Sequence, residues 1–369
     1  MNIAFVNFTH KWGGVKTWVI NTGIALEDLG HRVDIYGRPG NFIEKAKNCG
    51  LNATSVNVGP DFSPYRIIYF IREFIKNKTT VVIVNVSKDM RTAGIAAWLL
   101  NIPIIHRIGA PGDLKNRYSV RATQRNLKPI LLSCSNFVRQ KIKNNVPLLN
   151  GYEFYSIHPG IKPCNKVPNF VNSIRQIIVT SQLNSDKGHI DLLNALSELK
   201  KKNILFKCII AGTGSDEEKL KQESDKLELK EYVKWFGFTT DVYSLLEEGD
   251  IFVLPSYEEP LGIALEEAMG YGLIPIARRS GGVPEIWPDN HKEFLINPES
   301  GHHYIQHALE ILLSLNDEEL LMMKQNILIH ATKKFHIKMQ AKKIENMINE
   351  KVISRPMNNS LQFIRENYG

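Results

Sequence analysis

Strand-length apolar runs alternate with segments of helical periodicity along this chain, and the alternation begins twice. The first series opens with Ile3 to Asn7, crosses Gly13-Gly14, and continues as a helix from Val15 to Leu29, closed by Gly30 before the run Val33 to Tyr36. Further units are predicted as helix Tyr65 to Lys76 with strand Val81 to Val86, helix Ala93 to Leu100 with strand Pro103 to His106, and strand Ile130 to Cys134 with helix Asn136 to Lys143. Strands joined only through helices pair in parallel, because each crossover returns the chain in the same direction. A turn-rich stretch after Gly160, with Pro163 and Pro168, reads as a linker. The pattern then resumes with strand Gln176 to Thr180, helix His189 to Lys202, and strands Phe206 to Ala211, Val233 to Phe236 and Ile251 to Leu254. At 369 residues the chain exceeds what one core usually holds. The expected architecture is α/β, with two doubly wound parallel-sheet domains over 1–165 and 166–336. A last helix, near Ile337 to Val352, repeats apolar side chains at Ile337, Ala341, Ile344, Ile348 and Val352, a stripe that must pack somewhere.

Composition narrows the function classes. With 43% hydrophobic residues and no low-complexity tract, the chain is expected to be globular throughout. The start Met1-Asn-Ile-Ala-Phe-Val-Asn lacks a basic segment followed by an apolar core of signal length. Apolar runs such as Ile95 to Leu100 are far too short to span a bilayer, so a cytoplasmic protein is expected. Cys49, Cys134, Cys164 and Cys208 lie far apart without metal-ligand spacing and read as reduced thiols. The net charge of +8 hides an asymmetry: residues 1–165 hold 22 Lys and Arg against 9 Asp and Glu, or +13, and the remainder 24 against 29, or −5. A basic first half attracts a phosphorylated acceptor, an anionic membrane surface or nucleic acid. Nucleic acid is set aside, because neither aromatic interleaving nor a known binding module accompanies the charge. Arg117, Arg121 and Arg125 recur at i, i+4 and i+8, flanked by Lys115 and Lys128, as either a functional stripe or a plain solvated face.

The chemistry concentrates in Ile251-Phe-Val-Leu-Pro-Ser-Tyr-Glu-Glu-Pro-Leu-Gly-Ile-Ala-Leu-Glu-Glu-Ala-Met-Gly270, which sets Glu259 and Glu267 eight positions apart. The strand ends at Pro255-Ser256, and Pro260 to Met269 has the periodicity and N-terminal proline of a helix, which places Glu259 in the loop and Glu267 in the second turn. Open α/β sheets bind ligands outside the carboxyl ends of their strands. The amides of Leu261 and Gly262 at a helix start suit a phosphate, and ionised carboxylates accept hydrogen bonds from sugar hydroxyls. Two glutamates alone also describe a solvated acidic face; the Pro-Ser before them and Ala-Met-Gly-Tyr-Gly after them favour the ligand. His302, His303 and His307 include an i, i+4 pair without a third ligand, so no metal is expected there.

In order and spacing this run resembles the Glu, seven residues, Glu signature of retaining glycosyltransferase family 4, whose members have the GT-B fold of two Rossmann-like domains facing across a cleft. Further motifs match in the family's order up to about Glu350: Gly13-Gly14, His106, Ser133-Cys-Ser135, Pro159-Gly160, Lys187, and Gly281-Gly282 followed by Glu285. The resemblance implies a nucleoside-diphosphate sugar bound by the second domain, a glycan or glycolipid acceptor bound by the basic first domain, and a C-terminal helix, about 337–369, packed back on the first. It implies no metal and no cofactor beyond the donor. Catalytic roles fall to Glu259 and His106 on the transferred sugar and to Lys187 on the diphosphate. Donor contacts fall to Gly13, Gly14, Gln182, Lys187, Glu259, Leu261, Gly262, Ile263, Gly282 and, at the ribose, Glu267. Acceptor or membrane contacts fall to Arg117, Arg121, Arg125 and Lys128. One departure matters: Gln182 stands where the family has an arginine, so a cation is missing unless Arg278, Arg279 or a base of the first domain substitutes. Pro260, lacking an amide hydrogen, also removes a donor from the helix start. Taken singly, Gly13-Gly14 also reads as an ordinary βα turn, Lys187 as a surface lysine, His106 as a satisfied structural group and Glu285 as a loop ion-pair partner.

The implied function is sugar transfer in bacterial cell-surface polysaccharide or lipopolysaccharide synthesis, in the cytoplasm or on the inner face of the plasma membrane. A sugar-nucleotide epimerase of the same fold and a non-catalytic nucleotide-sugar-binding subunit are the rivals; Gln182 and Pro260 suit the latter. A dehydrogenase is disfavoured, since no Gly-x-Gly-x-x-Gly follows the first strand.

Overall fold

A computed structural model describes residues 1–10, 13–57, 59–164, 167–168 and 170–353. The chain divides into two compact units, one of Met1–Gly160 with the residues from Ile337 onward, the other Ile161–His336. Of the expected C-terminal features, the Val352 side chain and residues 354–369 lie outside the described residues.

The first unit is built on seven parallel strands: β1 (Asn2–Asn7), β2 (Arg32–Gly37), β3 (Asn52–Ser55), β4 (Val81–Val84), β5 (Ile104–Ile108), β6 (Ile130–Ser133) and β7 (Phe154–Ser156). They lie in the order β3-β2-β1-β4-β5-β6-β7, a doubly wound arrangement whose direction reverses between β1 and β4. All four residues of β4 and of β6 are buried, which is why β4 is wholly apolar and β6 is apolar up to Ser133. On one face Phe5, Trp18 and Leu26 pack with Ile337, Ala341, Ile344 and Ile348 of the helix Ile337–Ile353. On the other face Val6, Val82 and Met90 pack with Phe70 and Phe74 of the helix Pro64–Lys76. Ser135 caps the helix Asn136–Asn145 by accepting from the Val138 amide at 3.1 Å.

Several boundaries differ from the sequence reading. β5 runs on to Ile108, so His106 sits inside the strand rather than at its end. The helix expected from Ala93 begins at Ser87, because the Asp89 carboxylate takes the amides of Asn85 and Val86, and it passes through a π-helical segment, Met90–Gly94, before Ile95–Leu99. The helix Asn41–Asn48 and the strands β3, β7, Ile274–Arg278 and Leu295–Ile296 are not among the segments predicted from the sequence. β3 is Asn-Ala-Thr-Ser at the sheet edge, where only one side chain is buried and no apolar alternation arises.

The second unit holds six strands, β8 (Gln176–Thr180), β9 (Lys207–Ala211), β10 (Val233–Gly237), β11 (Ile251–Leu254), β12 (Ile274–Arg278) and β13 (Leu295–Ile296), ordered β10-β9-β8-β11-β12-β13. Its pairs are parallel, and the order reverses between β8 and β11. The helices His302–Ser314 and Asp317–Phe335 complete it. Among the described residues no helix is long and apolar enough to cross a membrane.

Candidate active site

In the second unit, loops leaving the carboxyl ends of β8, β9, β11 and β12 are tied to one another by their backbones. The Tyr257 amide donates to Asp186 O at 2.9 Å, Gly282 N to Glu259 O at 3.0 Å, and Leu183 N to Thr213 O at 3.1 Å. Such close approach requires residues without a Cβ. At Gly188 (φ 68°) an added Cβ would fall on the Pro255 carbonyl oxygen, and at Gly212 (φ 149°) on that of Ser181.

This packing brings Lys187 and Glu259 together across 72 residues of sequence, with Lys187 Nζ 3.1 Å from Glu259 Oε2 and 3.5 Å from Glu258 O. The two side chains are 16% and 15% exposed, and Asp186 adds a second carboxylate at 3.4 Å. Burial works against the ammonium, but Glu259 and Asp186 outweigh it and hold Lys187 above the usual lysine range. The arrangement is a cation and a carboxylate side by side at the carboxyl edge of the sheet, with the cation already balanced.

The helix carrying Glu267 begins at Ile263, not at Pro260. Gly262 adopts φ 99°, ψ 55° and turns the chain into the helix, so Pro260 stands three residues upstream and takes no donor from the first turn. Leu261 buries its side chain in the core, 1% exposed. Glu267 is half-buried beside Glu266, which is fully buried; burial first, and the Glu267 charge second, hold the Glu266 carboxyl well above the usual range.

Arg278 is not available as the replacement cation. It is 1% exposed at the end of β12, where its guanidinium donates to Pro255 O at 2.8 Å, to Pro298 O at 3.0 Å, and to Ser300 O and the Asp191 carboxylate. Its face lies 4.5 Å from the Tyr257 ring centroid, and the Tyr257 hydroxyl donates to Asp191 at 2.6 Å. Arg278, Asp191 and Tyr257 therefore brace the loop that presents Glu259. Sequence reasoning missed the last two; the available signal was a charged residue ending an otherwise apolar strand. Arg279 is exposed, and Gln182 is exposed with its Oε1 accepting from Asn184 at 3.1 Å.

In the first unit, Gly13 and Gly14 stand at the start of the helix Gly14–Asp28. His106 is buried, and its Nδ1 lies 2.9 Å from Gln124 Nε2, so a neutral ring accepts that bond. Arg117 is not part of a helical stripe. It is the extended residue before the helix Tyr118–Leu127, on which Arg121 and Arg125 face solvent; Lys128 follows in a left-handed turn. Among the described residues no cluster of three or more His, Cys, Asp or Glu could hold a metal ion.

Two buried histidines set an acid limit on stability. Burial lowers His106 to about 4, and burial with the neighbouring Lys187 charge lowers His189 to about 4. Each folded value lies below the unfolded value near 6.5, so each contribution is present above pH 6.5 and lost as the pH falls toward 4. It amounts to roughly 3 kcal/mol per residue. Urea unfolding at pH 7 and 4.5 should show His106→Gln losing less stability over this interval than the wild type; equal losses would refute the assignment.

Residues 165–329 match the family Glycosyl transferases group 1. A protein of Escherichia coli (strain K12), provisionally named a colanic acid biosynthesis glycosyltransferase, is 26% identical over 195 residues, covering 51% of this chain and 45% of that relative; the chain thus spans less than half of its length. A glycosyltransferase structure from Rickettsia africae superposes with TM-score 0.80 at 20% identity, covering 96% of this chain and 99% of the other. The Anabaena protein HepE, solved with UDP-glucose, superposes with TM-score 0.76 at 17% identity, covering 95% and 100%. Residues 165–329 are thus a glycosyl transferases group 1 domain, within a chain that has the GT-B fold.

Proposed function

We propose that this protein is a retaining glycosyltransferase, moving a sugar from a nucleoside-diphosphate sugar to a glycan or glycolipid of the bacterial cell surface. The observation that carries the reading is the Lys187–Glu259 pair, held at the carboxyl edge of the second sheet beside the helix that bears Glu267. In this reading Lys187 and the first-turn amides of that helix hold the diphosphate, Glu259 accepts from hydroxyls of the transferred sugar, and Glu267 accepts from the ribose. Breaking the anomeric bond leaves positive charge on the sugar ring and adds negative charge to the departing diphosphate. A cation fixed beside that oxygen lowers the barrier, because it is more useful in the transition state than in the ground state. Attack from the leaving-group side, with a diphosphate oxygen taking the acceptor proton, retains configuration without a second carboxylate at glycosidase spacing. The HepE structure with UDP-glucose and the name of the Escherichia coli relative support the donor class and the pathway.

The test is a panel of nucleotide sugars, with nucleoside diphosphate release measured with and without acceptor glycans. Release only with acceptor is expected; turnover of the donor alone to an isomer would indicate an epimerase, and absence of binding to every donor would sink the reading. Glu267→Ala should weaken donor binding about 10- to 100-fold by calorimetry, the effect of losing hydrogen bonds to a charged acceptor. Unchanged affinity would remove Glu267 from the ribose.

A further inference from the structure

Within the first unit, a cavity of about 380 Å³ opens among the loops that follow β3, β4 and β5, on the sheet edge where an open α/β sheet takes ligands. Asp61, Phe62, Arg91, Lys115, Arg117 and Ser119 are among its lining residues. We infer that this cavity binds an anionic sugar, a pyranose carrying phosphate or carboxylate; calling that ligand the acceptor rests on the transferase reading above.

Three independent features point to such a ligand. The first is charge. Arg91 is paired with Asp61 at 2.6 Å, while Asp113, also in the wall, is occupied by the amides of Gly109 and Ala110 at 2.8 Å. Lys115 and Arg117 have no ion-pair partner among the described residues and are the exposed cations of the wall. Arg91 Nε is itself buried without a hydrogen-bond partner among the described residues. The second feature is the helix Tyr118–Leu127, ten residues long, whose first turn supplies Ser119 and Val120 to the cavity wall. Its unbonded amides and positive end add to the field of Lys115 and Arg117.

The third feature is Phe62. It is 51% exposed at φ 59°, a conformation that a bulky residue adopts only when the surroundings impose it. Its ring lies 5.9 Å from the Arg91 guanidinium carbon. An exposed aromatic ring beside a cation offers one flat apolar face for the C–H face of a pyranose and one charged group for its substituent. A cavity that bound only a phosphate would have no use for the ring.

The experiment titrates the full chain, without nucleotide, with glucose 6-phosphate, glucuronate, glucose and inorganic phosphate, followed by ligand-observed NMR. Saturable binding of at least one charged sugar is expected, at least tenfold tighter than glucose or inorganic phosphate. The preference between glucose 6-phosphate and glucuronate identifies the charged substituent. The double variant Lys115→Gln/Arg117→Gln, both at exposed positions, should weaken that binding at least tenfold. Phe62→Gly should keep or raise Tm, since glycine tolerates the backbone, yet weaken the sugar and leave inorganic phosphate unchanged. Lys187→Ala should leave the titration unaltered. Equal affinity for charged and neutral sugars, no loss in the double variant, or loss instead in Lys187→Ala would overturn the proposal. Because no donor is present, the result is independent of whether the second unit turns one over.

Discussion

Turnover falls by about 10²–10³-fold in Lys187→Ala at saturating donor, the scale of removing one fixed donor from a developing oxyanion. Two effects act together. The diphosphate loses the ammonium that neutralises its growing charge; Gln182 carries no charge to replace it, and Arg278 is consumed by Asp191 and three carbonyls. The Glu259 carboxylate, 15% exposed, also loses its partner at 3.1 Å and is free to reorient away from the sugar. Glu259→Gln should cost a comparable factor, and the double variant should cost much less than the product of the two, since the residues act as one unit. The check is kcat for the three variants with the donor and acceptor identified by the panel. A Lys187→Ala enzyme within threefold of wild type would show that the pair is structural.

The largest stability effect is expected at Asp250→Ala, roughly 3–5 kcal/mol, the cost of leaving a buried charge without its partner. Lys324 and Asp250 are 4% and 0% exposed, with Nζ 2.8 Å from Asp250 Oδ1 and 2.9 Å from Gly249 O. The other carboxylate oxygen accepts from Asn172 Nδ2 at 2.8 Å and Gln176 N at 2.9 Å. Removing Asp250 therefore leaves the buried Lys324 ammonium without its counter-charge and the Gln176 amide, at the start of β8, without its acceptor. Lys324→Met should cost less, because the carboxylate keeps its Asn172 and Gln176 donors. Denaturant midpoints at pH 7 compare the two, and an Asp250→Ala loss below about 1 kcal/mol would contradict the account.

Strands β8 and β11 were legible because burial on both faces forces the apolar runs Ile177–Val179 and Ile251–Leu254, and the structure reproduces the limits read for both; β12, buried throughout, escaped notice because Pro275 and Arg278 break its pattern. The two glutamates were legible for a related reason: a ligand loop must interrupt such a run with charge. Edge strand β3 was illegible because its solvated side demands no pattern. The helix start at Ile263 was hidden by Pro260, which mimics an N-terminal proline while Gly262 makes the turn. Arg278 read as a free cation, since sequence does not report burial.

Local pattern alone determined which segments pair in parallel and which loops leave the carboxyl ends, since periodicity and turn chemistry act over a few residues. Which charges meet there was decided only by tertiary packing. Lys187 meets Glu259, and Arg278 turns inward to Asp191, because glycines let backbones from distant loops come into contact. Arg117 leaves its apparent stripe for a cavity wall because the helix begins one residue later. Coulomb energy depends on separation and burial in space, and neither is encoded in the spacing along a chain.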